Sequence, residues 1–100
     1  MILVTGSLVA REGGFEQALA LSLEHVRRSR LEPGCLAHAV HIDAEDASRL
    51  VFVEQWADPP ALKAHFALPA SRAFARAIAA LAVGEPQLSV FDATSIDARI

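Results

Sequence analysis

Between Cys35 and Trp56 the chain carries two apolar runs, CLAHAVHID and RLVFVEQW, joined only by the polar stretch AEDAS. So short a connection brings two extended segments together as antiparallel neighbours, that is, as a hairpin. In the first run Leu36, His38, Val40 and Ile42 form one row, and Cys35, Ala37, Ala39 and His41 form the other. Strand side chains alternate between faces, so this strand is expected to be covered at least partly on both sides.

Each side of the hairpin carries a helix pattern and then a further apolar run. Residues 2–10, ILVTGSLVA, predict an opening strand that stops at REGG. From Phe15 onward Phe15, Leu19, Leu23 and Val26 recur at helical spacing, with Ala18 and Ser22 on the same side. Glu32-Pro33-Gly34 ends that helix, because proline cannot continue it. His25 is expected at its surface. After Trp56, Asp58 reads as an N-cap with prolines in the first turn. The short helix it starts carries Leu62, His65 and Phe66. LPAS interrupts it, and a second piece from about Ser71 to Val83 places Phe74, Ile78 and Leu81 on its apolar side. Gln87 to Ile96 alternates again and predicts a last strand. The resulting order, βαββαβ, is the ferredoxin-like α+β arrangement, with a four-stranded antiparallel sheet and helices on one face.

One hundred residues make a single domain over 1–100. Hydrophobic residues are 53% of the chain and charged residues 21%, an apolar balance for a domain with so much surface per volume. Self-association through the open sheet face is the expected outlet, as a homodimer. Nine Lys and Arg against twelve Asp and Glu give a formal charge of −3, so no basic field favours nucleic acid. The basic run Arg27, Arg28 and Arg30 sits at a helix end, where cations suit the dipole. Cys35 stands alone, which excludes an internal disulfide and suits a cytoplasmic protein. No segment reads as a signal peptide, and none approaches the roughly 20 apolar residues of a membrane span.

The polar residues that interrupt these apolar runs are the candidates for chemistry. Glu54 and Trp56 lie two apart on a strand and share a face with Phe52 and Leu50. Trp56 either walls a pocket for a flat ligand or is plain core. A buried Glu54 is expected to have a raised pKa and either acts on a proton or accepts a structural hydrogen bond. His65 is the leading acid–base candidate, since histidine titrates at about 6.5 when unperturbed; its other reading is a cap at the helix break. His38 faces either the same cavity or a dimer interface. His38 and His41 point to opposite faces, and neither helix carries His-x-x-x-His or Glu-x-x-His, so no metal is expected. There is no G-x-S-x-G, phosphate loop or dinucleotide fingerprint.

The combination of Glu32-Pro33-Gly34, Glu54-x-Trp56 and Ala61-x-x-Ala64-His65, in this order and spacing, resembles the antibiotic biosynthesis monooxygenase domains. The likeness runs over about residues 2 to 93. It implies a dimeric α/β barrel, in which two ferredoxin-like subunits pair through their sheets and each keeps a cavity between sheet and helices. Some members of that family oxygenate phenols or quinols without metal, flavin or haem. Haem-degrading relatives use a histidine on the second helical region and an asparagine on the first strand. Here Ser71 to Val83 holds no histidine, and the first strand offers Thr5, Gly6 and Ser7. The resemblance therefore does not extend to haem.

The resulting expectation is a cofactor-independent monooxygenase acting with molecular oxygen on a quinol or related phenol. His65 would manage the proton with Glu54 or His38 as partner, and Trp56, Phe52, Phe66 and Phe74 would hold the ring. Two rivals stand beside it. One is an isomerase or lyase for a small carbonyl compound, and the other is a non-catalytic dimer that binds a small apolar molecule.

Overall fold

The computed structural model describes residues 1–99. Its elements are β1 (Ile2–Val9), α1 (Phe15–Ser29), β2 (Cys35–Asp43), β3 (Asp46–Trp56), α2 (Pro59–Ala67), α3 (Pro69–Leu81) and β4 (Gln87–Asp92). The four strands form one sheet in the order β2-β3-β1-β4, every neighbouring pair antiparallel. This is the ferredoxin-like βαββαβ topology expected from the pattern.

Two strands differ from the sequence expectation. β3 begins at Asp46 rather than Arg49, because the polar connection is itself mostly strand. Asp43 accepts from the Glu45 amide at 2.8 Å and Asp46 from the Ser48 amide at 3.0 Å, so local carboxylate–backbone bonds close the turn. β4 ends at Asp92, short of the expected Ile96. Its partner is β1, and Asp92 already faces Ile2 near the start of that strand. Beyond it the ladder has no strand left to pair with.

The register decides which side chains meet. On the helix-facing side, Leu8 pairs with Leu50, Gly6 with Phe52, Val4 with Glu54 and Ile2 with Trp56. Two buried apolar groups result. One joins Leu8, Leu50, Phe52, Val26, Ile78 and Leu81. The other joins Ile2, Val4, Trp56 and Leu62. Glu54 falls between them on β3, and β2 sets His38 directly opposite it. The core is thus split by a polar layer.

α1 buries Ala18, Ser22, His25, Val26 and Ser29. His25 is only 5% exposed, so the expectation of a surface histidine is wrong. Small residues at 18, 22 and 29 make a shallow stripe, and continuing that row at helical spacing lands on position 25. α2 starts as expected, with Asp58 accepting from the Ala61 amide at 2.9 Å and prolines in the first turn. Leu68 adopts an extended backbone, which breaks α2 from α3 at the LPAS stretch.

Large apolar side chains remain exposed on both edge strands, namely Leu36 and Ile42 on β2 and Leu88, Val90 and Phe91 on β4. Among the described residues no helix is long and apolar enough to cross a membrane.

Candidate functional site

The polar layer opens onto a cavity of about 330 Å³ between the sheet and α3. Phe52, Phe74, Leu8, Ile78 and Leu88 supply apolar walls, with Phe66 among the lining residues. His25, Glu54, His65 and Ser71 are the buried polar residues that line it. A mostly apolar cavity with a few converging polar groups is the usual form of a small-molecule site. Gly6 belongs to the sheet side of the cavity, and a Cβ there would stand 3.3 Å from the Gln87 carbonyl oxygen and 3.6 Å from Leu88. The missing side chain keeps that part of the cavity open.

His65 is 2% exposed, and its Nδ1 lies 2.9 and 3.1 Å from the two carboxylate oxygens of Glu32. A carboxylate only accepts, so Nδ1 carries a proton, and in the neutral ring Nε2 holds the lone pair. This is the carboxylate–histidine arrangement that fixes the tautomer of a histidine base. The geometry depends on the Glu-Pro-Gly turn. Pro33 ends the preceding helical turn, and Gly34 takes a φ of +83° with its carbonyl accepting from the Ala57 amide at 2.8 Å. A Cβ on Gly34 would fall 2.5 Å from that of Ala61. Only glycine lets this turn lie against α2, and that approach carries Glu32 to His65. Glu32 had been read only as part of a helix stop, so sequence reasoning missed its role.

Glu54 is 6% exposed. Its Oε1 accepts from the Trp56 indole at 2.9 Å and lies 3.3 Å from His38 Nε2. Burial pushes its carboxyl up, but the His38 ring, the indole N–H and His65 together outweigh burial and hold it below the ordinary value. The expectation of a raised pKa is therefore corrected, and Glu54 is an anion held by its neighbours.

Trp56 is fully buried and does not line the cavity. Its ring packs at a 4.6 Å centroid distance from His65, and its N–H is committed to Glu54. The expected wall for a ligand ring is instead a support packed behind Glu54 and His65. Strand alternation put Trp56 on the correct face, but its register opposite Ile2 drew it into the second apolar group. His38 is likewise absent from the cavity lining and lies behind Glu54. Phe52, Phe66 and Phe74 do line it.

His25 and Ser71 complete the polar set, and neither was expected there. His25 stacks on Phe74 with ring centroids 4.0 Å apart. Burial above all, then His38, His65 and Arg28, pushes its pKa down to about 3, against a smaller upward pull from Glu54. The ring is neutral at pH 7, and Arg28 Nη2 donates to its Nδ1 at 3.1 Å, which places the proton on Nε2. The Ser71 hydroxyl is buried without a protein partner. Cys35 lies away from the cavity lining, and burial pushes its thiol pKa up, which suits an inert side chain.

The chain is a small ferredoxin-like α+β domain with a histidine-lined cavity between sheet and helices. Its sequence matches the family model described as antibiotic biosynthesis monooxygenase over residues 1–77. The chain belongs to that family. It is similar to a solved antibiotic biosynthesis monooxygenase at 28% identity and a TM-score of 0.87, covering 95% of this chain and 100% of that one. A candidate antibiotic biosynthesis monooxygenase from Deinococcus radiodurans shares the fold at 23% identity and a TM-score of 0.93, covering 100% and 99%. So does Rv0793 from Mycobacterium tuberculosis, at 21% identity and a TM-score of 0.88, covering 97% of each chain. The uncharacterized protein sll1783 of a Synechocystis species is 32% identical over 68 residues, which are 68% of this chain and 46% of that protein. The chain spans about half the length of that curated relative.

Proposed function

We propose that the chain is a cofactor-independent monooxygenase for a compact quinol or phenol. The observation that carries this reading is the Glu32–His65 pair, with His65 lining an apolar cavity. His65 would take the phenolic proton, and the neutral His25 would donate from Nε2 to the oxygen left charged. The electron-rich anion then reacts with molecular oxygen. One oxygen atom stays on the ring and the other leaves as water, the ring supplying the electrons. Phe52 and Phe74 would hold the ring, with Phe66 near it, and the partnerless Ser71 hydroxyl would meet a second polar substituent. Glu54 and His38 act from behind, keeping charge near His65.

The cavity sits at the low end of the range of about 300–1,000 Å³ usual for ligand pockets, which favours a compact ring over an extended polycyclic one. That volume also suits the second reading, an isomerase or lyase for a small carbonyl compound using the same pair. The non-catalytic reading called for His65 and Glu54 to face solvent, and both are buried. Phe91, exposed and in register with Leu3 on the face away from the helices, supports pairing of two copies through the sheet.

The test is oxygen uptake with a panel of hydroquinones and naphthols, with no metal or flavin added, while Trp56 fluorescence is followed. Uptake together with quenching supports the monooxygenase. Quenching by small carbonyl compounds without any uptake by phenols would replace it with the second reading.

A further inference from the structure

Three of the four histidines of this chain meet at one point, although they come from three different elements. His25 lies on α1, His38 on β2 and His65 on α2, and each is at most 5% exposed. One nitrogen from each lies within 4.8 Å of the others. His38 is the informative member. Its Nδ1 is buried with no hydrogen-bond partner, and its Nε2 stands 3.3 Å from Glu54 Oε1. Natural interiors rarely leave a buried ring nitrogen without a partner. We infer that the His25–His38–His65 cluster is a binding site for one divalent first-row transition ion of the borderline class, such as Zn²⁺ or Co²⁺.

Neutral imidazole is the ligand these ions prefer, and three protein ligands with one open position is the pattern of a reactive rather than a purely structural centre. The open position faces the cavity, since His25 and His65 both line it. Nitrogens bound at about 2.1 Å in a tetrahedron stand roughly 3.4 Å apart, so side-chain rotations must tighten the present spacing. The surroundings supply outer partners. Glu32 holds His65 through Nδ1, which leaves Nε2 for an ion, as carboxylates do for ligating histidines. Glu54 adds a buried negative charge beside His38. One contact opposes the ion. Arg28 donates to His25 Nδ1 at 3.1 Å, so His25 must move its proton from Nε2 to Nδ1, or turn, before it can ligate. An ion on His65 would also occupy the lone pair that the proposed base uses, so metal loading and cofactor-free turnover exclude each other at this residue.

The experiment is titration of the untagged, chelator-treated protein with Co²⁺, read by visible absorption and by proton NMR of the four histidine rings. The expected result is a one-to-one, intense four-coordinate spectrum, with paramagnetic shifts at His25, His38 and His65 and none at the exposed His41. His38→Ala should weaken Co²⁺ binding by more than about 100-fold, beyond the loss that an outer-shell partner alone causes. Arg28→Gln should tighten it. A weak six-coordinate spectrum, shifts at His41 instead of the cluster, or a folded His38→Ala protein that binds as the parent does would overturn the inference. The parent NMR decides the matter even if His38→Ala fails to fold. Binding is read without turnover, so failure here leaves the monooxygenase proposal standing, and failure of that proposal leaves this one untouched.

Discussion

Glu32 and His65 are 33 residues apart in sequence and 2.9 Å apart in the fold. Glu32 lies in the loop after α1, His65 rides on α2, and a glycine turn packed against Ala61 joins them. His65→Ala should lower kcat for an accepted phenol by about 10²–10⁴, the usual worth of a positioned base. Glu32 does not line the cavity, so Glu32→Ala should lower kcat about tenfold or more with little change in KM. Steady-state kinetics on both variants checks this, and a change confined to KM would contradict it.

Gly34→Ala attacks the same pair through the backbone. The left-handed conformation alone should cost about 1–2 kcal/mol for a residue with a Cβ. The contact with Ala61 adds to that, so the turn should lift away from α2. Urea denaturation should show the lost stability, and the folded fraction should show reduced kcat as well. Full activity in a folded Gly34→Ala protein would mean that Glu32 does not need this turn.

Acid should loosen the domain through the polar layer. His25 takes a proton near 6.5 when unfolded but only near 3 when folded. Between those values the unfolded chain binds more protons, so stability falls as pH drops from about 6.5 toward about 3. Glu54 acts with the same sign, because its folded pKa lies below the ordinary 4.5 and its contribution is lost as pH falls through it. Melting temperatures across this range should show a slope that His25→Leu flattens. An equally steep slope in the variant would assign the acid sensitivity elsewhere.

Trp56→Phe separates support from substrate contact. The indole donates to Glu54 but does not touch the cavity, so its loss leaves a buried carboxylate short of a partner. A loss of about 1–3 kcal/mol in stability is expected, with KM close to that of the parent. Phe74→Ala should do the reverse in kinetics and raise KM, since that ring lines the cavity and stacks on His25. Ligand titrations of the two variants, compared side by side, check the contrast.

Much of the scaffold follows from local rules that short stretches of sequence carry. Alternation marked β2 to the residue, the Asp58 cap and its prolines marked the start of α2, and LPAS marked the break before α3. Face assignment worked where the period was clean, as for Phe52, Glu54 and Trp56. Element ends were less legible, because a strand stops where its partner stops, as β4 does against β1.

By itself the sequence determined the order of elements, the helix-facing rows and the residue types able to move a proton. Only the tertiary structure decided which of them meet. Glu32 looked like part of a stop signal and His25 like a surface residue, because nothing in their neighbourhoods records a partner dozens of positions away. Sheet register set His38 opposite Glu54 and pulled Trp56 out of the cavity. The close approach at Gly34 brought an acid to His65. Local propensity depends on neighbours along the chain, whereas a site depends on distances across it, and those are fixed only when the core packs.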